Sequence, residues 1–204
     1  FVRFCSIYNI PVIFMEDTTG FLPGRDQESR GIVQAGRAML DAIIDLRTPR
    51  ILLILRNAFG GAYAAFNSYA TGANVVLALP TTRVAVMGTA GTAYVYKKEL
   101  QDARAEAAAL QRREQRDKLD AGASPEDAEA AAKRAAAQWL REQEVALNQR
   151  YERELMNPRE ALSLGSISEI VMPSDLRAVL GHHVVSLLRT YQPGPWQSVQ
   201  REFH

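Results

Sequence analysis

Two adjacent glycines, Gly60 and Gly61, end an aliphatic run and are followed by Ala62, Tyr63, Ala64 and Ala65 in the stretch RNAFGGAYAAFN, residues 56–67. A strand that stops in glycine and feeds a helix presents the first backbone N–H groups of that helix, which have no acceptor within it. Glycine lets another molecule come within hydrogen-bond distance of the main chain. The aligned peptide dipoles add positive potential at the same place. Together these features make an oxyanion hole, a set of fixed donors where negative charge develops on a carbonyl oxygen. The small side chains of Ala62, Ala64 and Ala65 keep the approach open. The same glycines would also serve tight strand-to-helix packing, and the motif alone does not choose between the two readings.

A second junction, VMGTAGTAYV at residues 86–95, repeats the order of strand, glycine, small residues and helix. Gly88 and Gly91 stand as G-x-x-G without the preceding G-x-G of a dinucleotide site, and no phosphate-binding P-loop is present. Two such junctions predict a pocket lined by backbone. Side chains suited to catalysis are few. His182 and His183 lie among Val179, Val184 and Val185 on the last predicted helix, and His204 is terminal. Glu16 and Asp17 end the first predicted strand, where carboxylates can act as acid or base; cap and turn roles are the favoured reading. No serine sits in a G-x-S-x-G elbow. The lone Cys5 excludes an internal disulfide framework and a cysteine zinc site, and its apolar neighbours mark it as a packed small hydrophobe. This inventory suits a backbone-driven mechanism better than a nucleophile triad.

The elements that must position these residues are those of an α/β fold. IPVIFMEDTTG (10–20) reads as a buried strand running into a polar loop, and FLPG (21–24) as a turn with Pro23 before Gly24. Apolar positions from Ser29 to Leu46 keep helical spacing and stop at Thr48-Pro49. RILLILRN (50–57) is a continuous aliphatic run, suited to a strand covered on both faces. A helix from Gly61 to about Ala70 follows, closed near Gly72, and then come strands in NVVLALP (74–80) and RVAVMG (83–88). Strands alternating with helices argue for mainly parallel pairing. Residues 97–150 differ: 11 Lys+Arg, 11 Asp+Glu, many alanines and one aromatic, Trp139, predict a helical hairpin broken at DAGASPED (120–127). Ser124 fits an N-cap there and Pro125 the first helical position. Asn157, Pro158 and Gly165 bracket a further short helix; SISEIVMPSD (166–175) reads as a strand with Ser174 capping a last helix, and TYQPGPWQSVQREFH as an extended tail.

The 204 residues have 47% apolar and 23% charged content, an ordinary globular composition. A net charge of +1 gives no electrostatic footprint for nucleic acid. No apolar run approaches the roughly 20 residues of a membrane span, and no signal peptide is evident; the expected setting is cytoplasmic, away from membranes. The chain opens with Phe1, and FVRFCSIYN reads as the last turns of a helix already in progress.

Four stretches, FVRFCSIYNIPVIFMEDTTGFLPG, NAFGGAYAAFNS, LPTTRVAVMGTAGTA and NPREALSLGSISEIVMPSD, resemble in order and character the carboxyltransferase β subunits of biotin-dependent acyl-CoA carboxylases. The similarity is to the C-terminal domain of the propionyl-CoA and methylcrotonyl-CoA types. It covers residues 1–96 and 151–190. It implies a crotonase-like (ClpP/crotonase) β-β-α spiral over residues 1–204, with the 97–150 hairpin as a projecting insertion. An N-terminal sister domain that holds most of the coenzyme A would be absent from this chain. It further implies transfer of carboxylate from carboxybiotin to the α-carbon of an acyl-CoA, through enolates held in backbone oxyanion holes. Gly61 and Ala62 match the positions whose N–H groups hold the ureido oxygen of biotin. Gly60, Tyr63, Ala64 and Phe21, with Gly88, Thr89, Ala90 and Gly91, would border the substrate. The implied cofactor is biotin on a carrier protein, with a coenzyme A thioester as substrate and no metal. The implied partners are the sister domain, a biotin carboxylase and a biotin carrier protein, in a homo-oligomer of trimer or dimer-of-trimers type. One departure stands out: Ala64 occupies a position where propionyl-type members commonly carry Asp, which points to a longer or branched acyl group. The hairpin and the QREFH tail look more like divergent members, including the glutaconyl-CoA decarboxylase subunit. That subunit type, which runs the half-reaction backwards with a membrane pump as partner, is the first alternative; a non-catalytic assembly scaffold is the second.

Overall fold

The computed structural model describes residues 1–22 and 24–194. The turn expected around Pro23, His204 and most of the expected tail lie outside the described residues. The chain divides into two compact units, Phe1–Val86 with Met156–His204, and Met87–Leu155.

The first unit is built on five parallel strands, β1 (Val12–Thr18), β2 (Arg50–Phe59), β3 (Val75–Ala78), β4 (Arg83–Ala85) and β5 (Glu169–Ile170). Their order is β1-β2-β3-β5, with β4 pairing the end of β2. The aliphatic run of β2 is explained by cover on both faces. Leu52, Ile54 and Ala58 pack with Val76, Ala161 and Ile167, and Phe14 and Tyr63 close over them. On the other face Ile51 and Leu53 pack with Val75, Leu77 and Val171 under the last helix. Along β1, Val12 and Glu16 are buried while Ile13 and Met15 are exposed, the two-residue period of a strand covered on one face.

Helices α1 (Val2–Ile7), α2 (Arg25–Ser29), α3 (Ile32–Ile44) and α4 (Gly60–Ala65) complete the first part of this unit. Cys5 of α1 is buried against Val12 and Leu46, as a small hydrophobe. The helix expected from Ser29 begins three residues later, as α3, because Gly31 takes a left-handed conformation (φ 82°) before it, and α2 ahead of it was not expected. The helix expected to run to Ala70 stops at Ala65. Asn67 turns back at φ 76°, a 3-10 turn occupies Tyr69–Thr71, and Gly72 closes it at φ 102°. The hydroxyls of Ser68 and Thr71 both donate to the Ala64 carbonyl at 3.2 Å, satisfying an orphan acceptor that would otherwise continue the helix. The sequence does not advertise Arg50: buried at the start of β2, its side chain donates to Gly72 O at 2.6 Å and to Ile43 O at the end of α3.

The second unit holds a 3-10 turn (Thr89–Gly91), α5 (Thr92–Val95), and two long helices, α6 (Lys97–Asp120) and α7 (Pro125–Leu155), which form the expected hairpin. Ala103 and Ala107 of α6 and Ala128, Ala132 and Ala136 of α7 are buried, one stripe on each helix at four-residue spacing. Ser124 caps α7 as expected: its oxygen accepts from Asp127 N at 3.2 Å and its hydroxyl donates to the Asp127 carboxylate at 2.7 Å. At the other end Tyr96 donates to Glu154 at 3.0 Å, and Arg150 pairs with the same carboxylate while lying 4.8 Å over the Tyr96 ring.

Back in the first unit, α8 (Pro158–Ser163) starts at Asn157, whose side chain accepts from Glu160 N at 2.9 Å, and ends before Gly165 at φ 72°. The strand expected over 166–175 shrinks to β5, Glu169–Ile170. The last helix, α9 (Leu176–Thr190), follows Asp175 with no side-chain cap, so the expected cap at Ser174 is not made. Its Leu176, Val179 and Leu180 face the sheet, and burial rather than capping sets its start.

Candidate active site

The end of β2 is fixed from both sides. β1 and β2 run in register from Val12 opposite Arg50 to Glu16 opposite Ile54, and then the register slips so that Thr18 lies opposite Ala58. At the slip, the Asp17 carboxylate accepts from Asn57 N at 3.1 Å, from Asn57 Nδ2 at 3.0 Å and from Arg56 Nη2 at 2.9 Å. These donors, Arg56 first, hold the Asp17 carboxyl below its usual range. Asn57 Oδ1 accepts in turn from Arg83 Nε of β4 at 3.1 Å. Asp17 thus braces β2 from within β1 rather than filling the cap or turn role favoured from sequence, and Asn57 and Arg83 are positioning residues that sequence reasoning missed.

This bracing delivers the glycine pair, and the structure separates its two glycines. Gly60 has φ 61°, and a Cβ there would meet Val86 O at 2.9 Å, so backbone conformation and close packing both demand glycine. Gly61 is exposed, and a Cβ there would have nothing within 4 Å. Gly60, Gly61 and Ala62 occupy the first turn of α4, whose amides have no acceptor inside the helix. The packing reading therefore belongs to Gly60, and the space for access is at Gly61. The buried Ala62 seats the helix on the sheet.

Tyr63 is half-buried and donates its hydroxyl to Ser166 O at 3.2 Å. Burial, then the Glu16 and Tyr69 charges, push its pKa up to about 12. Ala64 is half-buried. Phe21 is exposed and lays its ring against Gly36 of α3, 3.5 Å from where a Cβ would stand.

The second junction lies in the other unit. Thr89 and Ala90 are exposed, but the Gly91 amide donates to Gly88 O at 2.8 Å and is not spare. Gly91 is buried, and a Cβ there would run into the Tyr151 hydroxyl, which itself donates to Met87 O at 3.2 Å. Gly91 is thus a packing glycine in this turn.

Glu16 departs from the cap role expected of it. It is 1% exposed, and neither carboxyl oxygen has a partner. Burial raises its pKa from 4.5 to about 8. His183 stands 3.4 Å from the Glu169 carboxylate, with His182 edge-on beside it, on α9. Among the described residues no group of three or more His, Cys, Asp and Glu could hold a metal ion, and no helix is long and apolar enough to cross a membrane. A cavity of about 650 Å³, lined by Arg3, Asn9, Asp45, Arg47 and Tyr191, opens at the other end of β1, by α1 and the end of α3.

The arrangement can bind an oxyanion or a polarised carbonyl oxygen through main-chain donors at Gly61 and Ala62. Comparison with known proteins gives the family and the fold. Residues 1–201 match the family described as carboxyl transferase domain. The biotin-dependent acetyl-/propionyl-coenzyme A carboxylase beta5 subunit of Mycobacterium tuberculosis is 35% identical over 182 residues, 89% of this chain and 28% of that protein. The methylmalonyl-CoA decarboxylase subunit alpha of Propionigenium modestum is 45% identical over 109 residues, 53% of this chain and 21% of that protein. Among solved structures, the transcarboxylase 12S hexamer with methylmalonyl-coenzyme A and methylmalonic acid bound superimposes with a TM-score of 0.69 at 26% identity, over 97% of this chain and 31% of that one. The expected crotonase-like carboxyltransferase fold is the one observed.

Proposed function

The chain belongs to the carboxyl transferase domain family, and from that premise we propose that it carries out the carboxyltransferase half-reaction of a biotin-dependent acyl-CoA carboxylase. The observation that carries the reading is Gly61: exposed, with open space where a side chain would stand, on the first turn of α4. That space fits a ligand oxygen approaching the backbone. Biotin, on a carrier protein, supplies an activated carboxyl group. The Gly61 and Ala62 amides hold its ureido oxygen and favour the negative charge that gathers there. The peptide dipoles of α4 act in the same direction. Gly60 and Tyr63 keep this segment in place. The acyl thioester lies against Ala64 and Phe21. In the second unit, the turn of Gly88, Thr89 and Ala90 is supported at Gly91 by Tyr151.

The chain spans 28% of the mycobacterial relative and 31% of the transcarboxylase chain. The reading therefore includes an N-terminal sister domain that holds most of the coenzyme A, a biotin carboxylase and a biotin carrier protein. The hexamer of the transcarboxylase supports a trimer-based oligomer. The similarity to a decarboxylase subunit supports the second reading, in which the same site moves carboxylate from substrate to biotin. The residue roles are identical; the partner and the direction differ.

The test is carboxyl transfer by the full-length protein from a carboxylated biotin carrier to acetyl-, propionyl-, butyryl- and branched acyl-CoA. Transfer is expected, graded towards the larger acyl groups because Ala64 leaves room that a carboxylate would fill; one extra buried methylene is worth about 0.8 kcal/mol. Carboxyl flow solely from an acyl-CoA to free biotin carrier would select the decarboxylase reading, and no transfer in either direction would refute both.

A further inference from the structure

The buried acid of β1 sits under the helix that bears the proposed donors. Glu16 is in register with Ile54. Parallel partners in register point to the same side of a sheet, so Glu16 shares the face of Leu52, Ile54 and Ala58, against which Tyr63 packs. Helix α4 packs on β1 as well as on β2. The carboxyl group is thus enclosed in the apolar layer between sheet and α4, with no hydrogen bond to either oxygen. A neutral acid can stay there; a carboxylate would need water or a partner. The titratable group that senses its charge is Tyr63 from α4, which senses Tyr69 of the following 3-10 turn as well. Each hydroxyl is held from the far end of the chain, Tyr63 by Ser166 O and Tyr69 by Ser168. Next along β1, the Asp17 carboxylate is closed on Arg56 and Asn57.

We propose that Glu16 is a positioning residue that must stay uncharged for carboxyl transfer, because its ionisation lifts α4, with Gly61 and Ala62, from the sheet. The inference rests on the carboxyltransferase reading and adds to it an alkaline limit set by one buried acid. With its pKa raised to about 8, Glu16 is neutral at pH 7 and ionises above that range. One pH unit beyond that value the ionised form outweighs the neutral one about tenfold.

Two readouts test it in the full-length protein. The first is amide hydrogen exchange of the α4 segment, corrected for the intrinsic effect of pH. Wild type should lose protection roughly tenfold between pH 7 and pH 9, and Glu16→Gln should show no such loss. The second is the ratio of kcat for carboxyl transfer at pH 9 to that at pH 7. This ratio should fall in wild type and be restored towards one in Glu16→Gln. Glu16→Met, of similar length and without a titrating group, carries both measurements if the glutamine variant does not fold. Equal pH dependence of exchange in wild type and the folded variants overturns the proposal, as does an alkaline loss of kcat with no change at α4. A protein with no carboxyl transfer at any pH refutes the carboxyltransferase reading, while the exchange data still decide whether Glu16 governs α4.

Discussion

At Gly61 the local physics separates function from folding. Apart from its chain neighbours and its own helix backbone, a valine there would meet no atom within 4 Å of its Cβ, and the residue is not in the left-handed region where only Gly60 of the pair lies. Gly61→Val should therefore fold, with no loss of helix propensity, yet block approach to the first-turn amides. Removal of one such donor costs about 10²–10³ in kcat in comparable sites, so carboxyl transfer should fall at least that far while the thermal midpoint moves little. A Gly61→Val protein with wild-type kinetics would remove these amides from the mechanism. Glu16 makes a separate prediction about stability. The folded state holds its proton up to about pH 8, whereas the unfolded chain releases it near 4.5. Between those values the native state binds the extra proton, so this group's contribution is full below pH 4.5 and is lost as pH rises towards 8. The slope approaches about 1.4 kcal/mol per pH unit. Thermal or urea unfolding of wild type and Glu16→Gln should diverge in that window, with wild type losing more as pH rises; parallel curves would show that the buried acid is not titrating.

The elements that could be read from sequence were those fixed by local rules. The aliphatic run of β2, the Ser124-Pro125 start of α7 and the Asn157-Pro158 start of α8 each signal themselves through a short-range requirement, and each forms where expected. What could not be read depends on conformations and contacts that the local residue pattern does not signal. The break between α2 and α3 needs Gly31 in a left-handed conformation. The early end of α4 depends on Ser68 and Thr71 reaching back to Ala64 O. The missing cap at Ser174 reflects a helix whose start is set by packing on the sheet. The glycine pair was legible as a junction, but the division of labour between Gly60 and Gly61 required Val86 O to be seen beside one and empty space beside the other. Glu16 could be placed on a strand, but its burial without a partner could not be foreseen from IPVIFMED. The caps give a direct test at this scale. Asn157→Ala removes the acceptor for Glu160 N and should cost about 1 kcal/mol, with Asn157→Ser recovering most of it. An unchanged unfolding midpoint in Asn157→Ala would mean that α8 is held by Ala161 in the core and not by its cap.

Across the whole molecule, apolar burial is unevenly divided between the two units. The first buries Leu52, Ile54, Val76 and Leu77 almost completely, and a fully buried aliphatic side chain of this size contributes about 1.5–3 kcal/mol. The second is closed chiefly by alanines and two tyrosines, and a single methyl offers only a fraction of that area. Composition foretold this contrast, since residues 97–150 are rich in alanine and in balanced charge. The first unit is discontinuous, yet its chain leaves and re-enters at neighbouring points, because Val84 N donates to Met156 O at 3.1 Å. Residues 88–154 should therefore be replaceable by a linker of about four residues, within the usual length of a short connection. The shortened protein should unfold in one cooperative transition, with the amides of β2 and β3 still the slowest to exchange, because Ala161 and Ile167 return to the same core from the far side of the excision. The excised hairpin should be helical by circular dichroism, but melt at lower temperature over a broader range. If the shortened protein fails to fold while the hairpin alone melts sharply, the stability of the chain resides in its charged helices and not in the strands that carry the glycine pair.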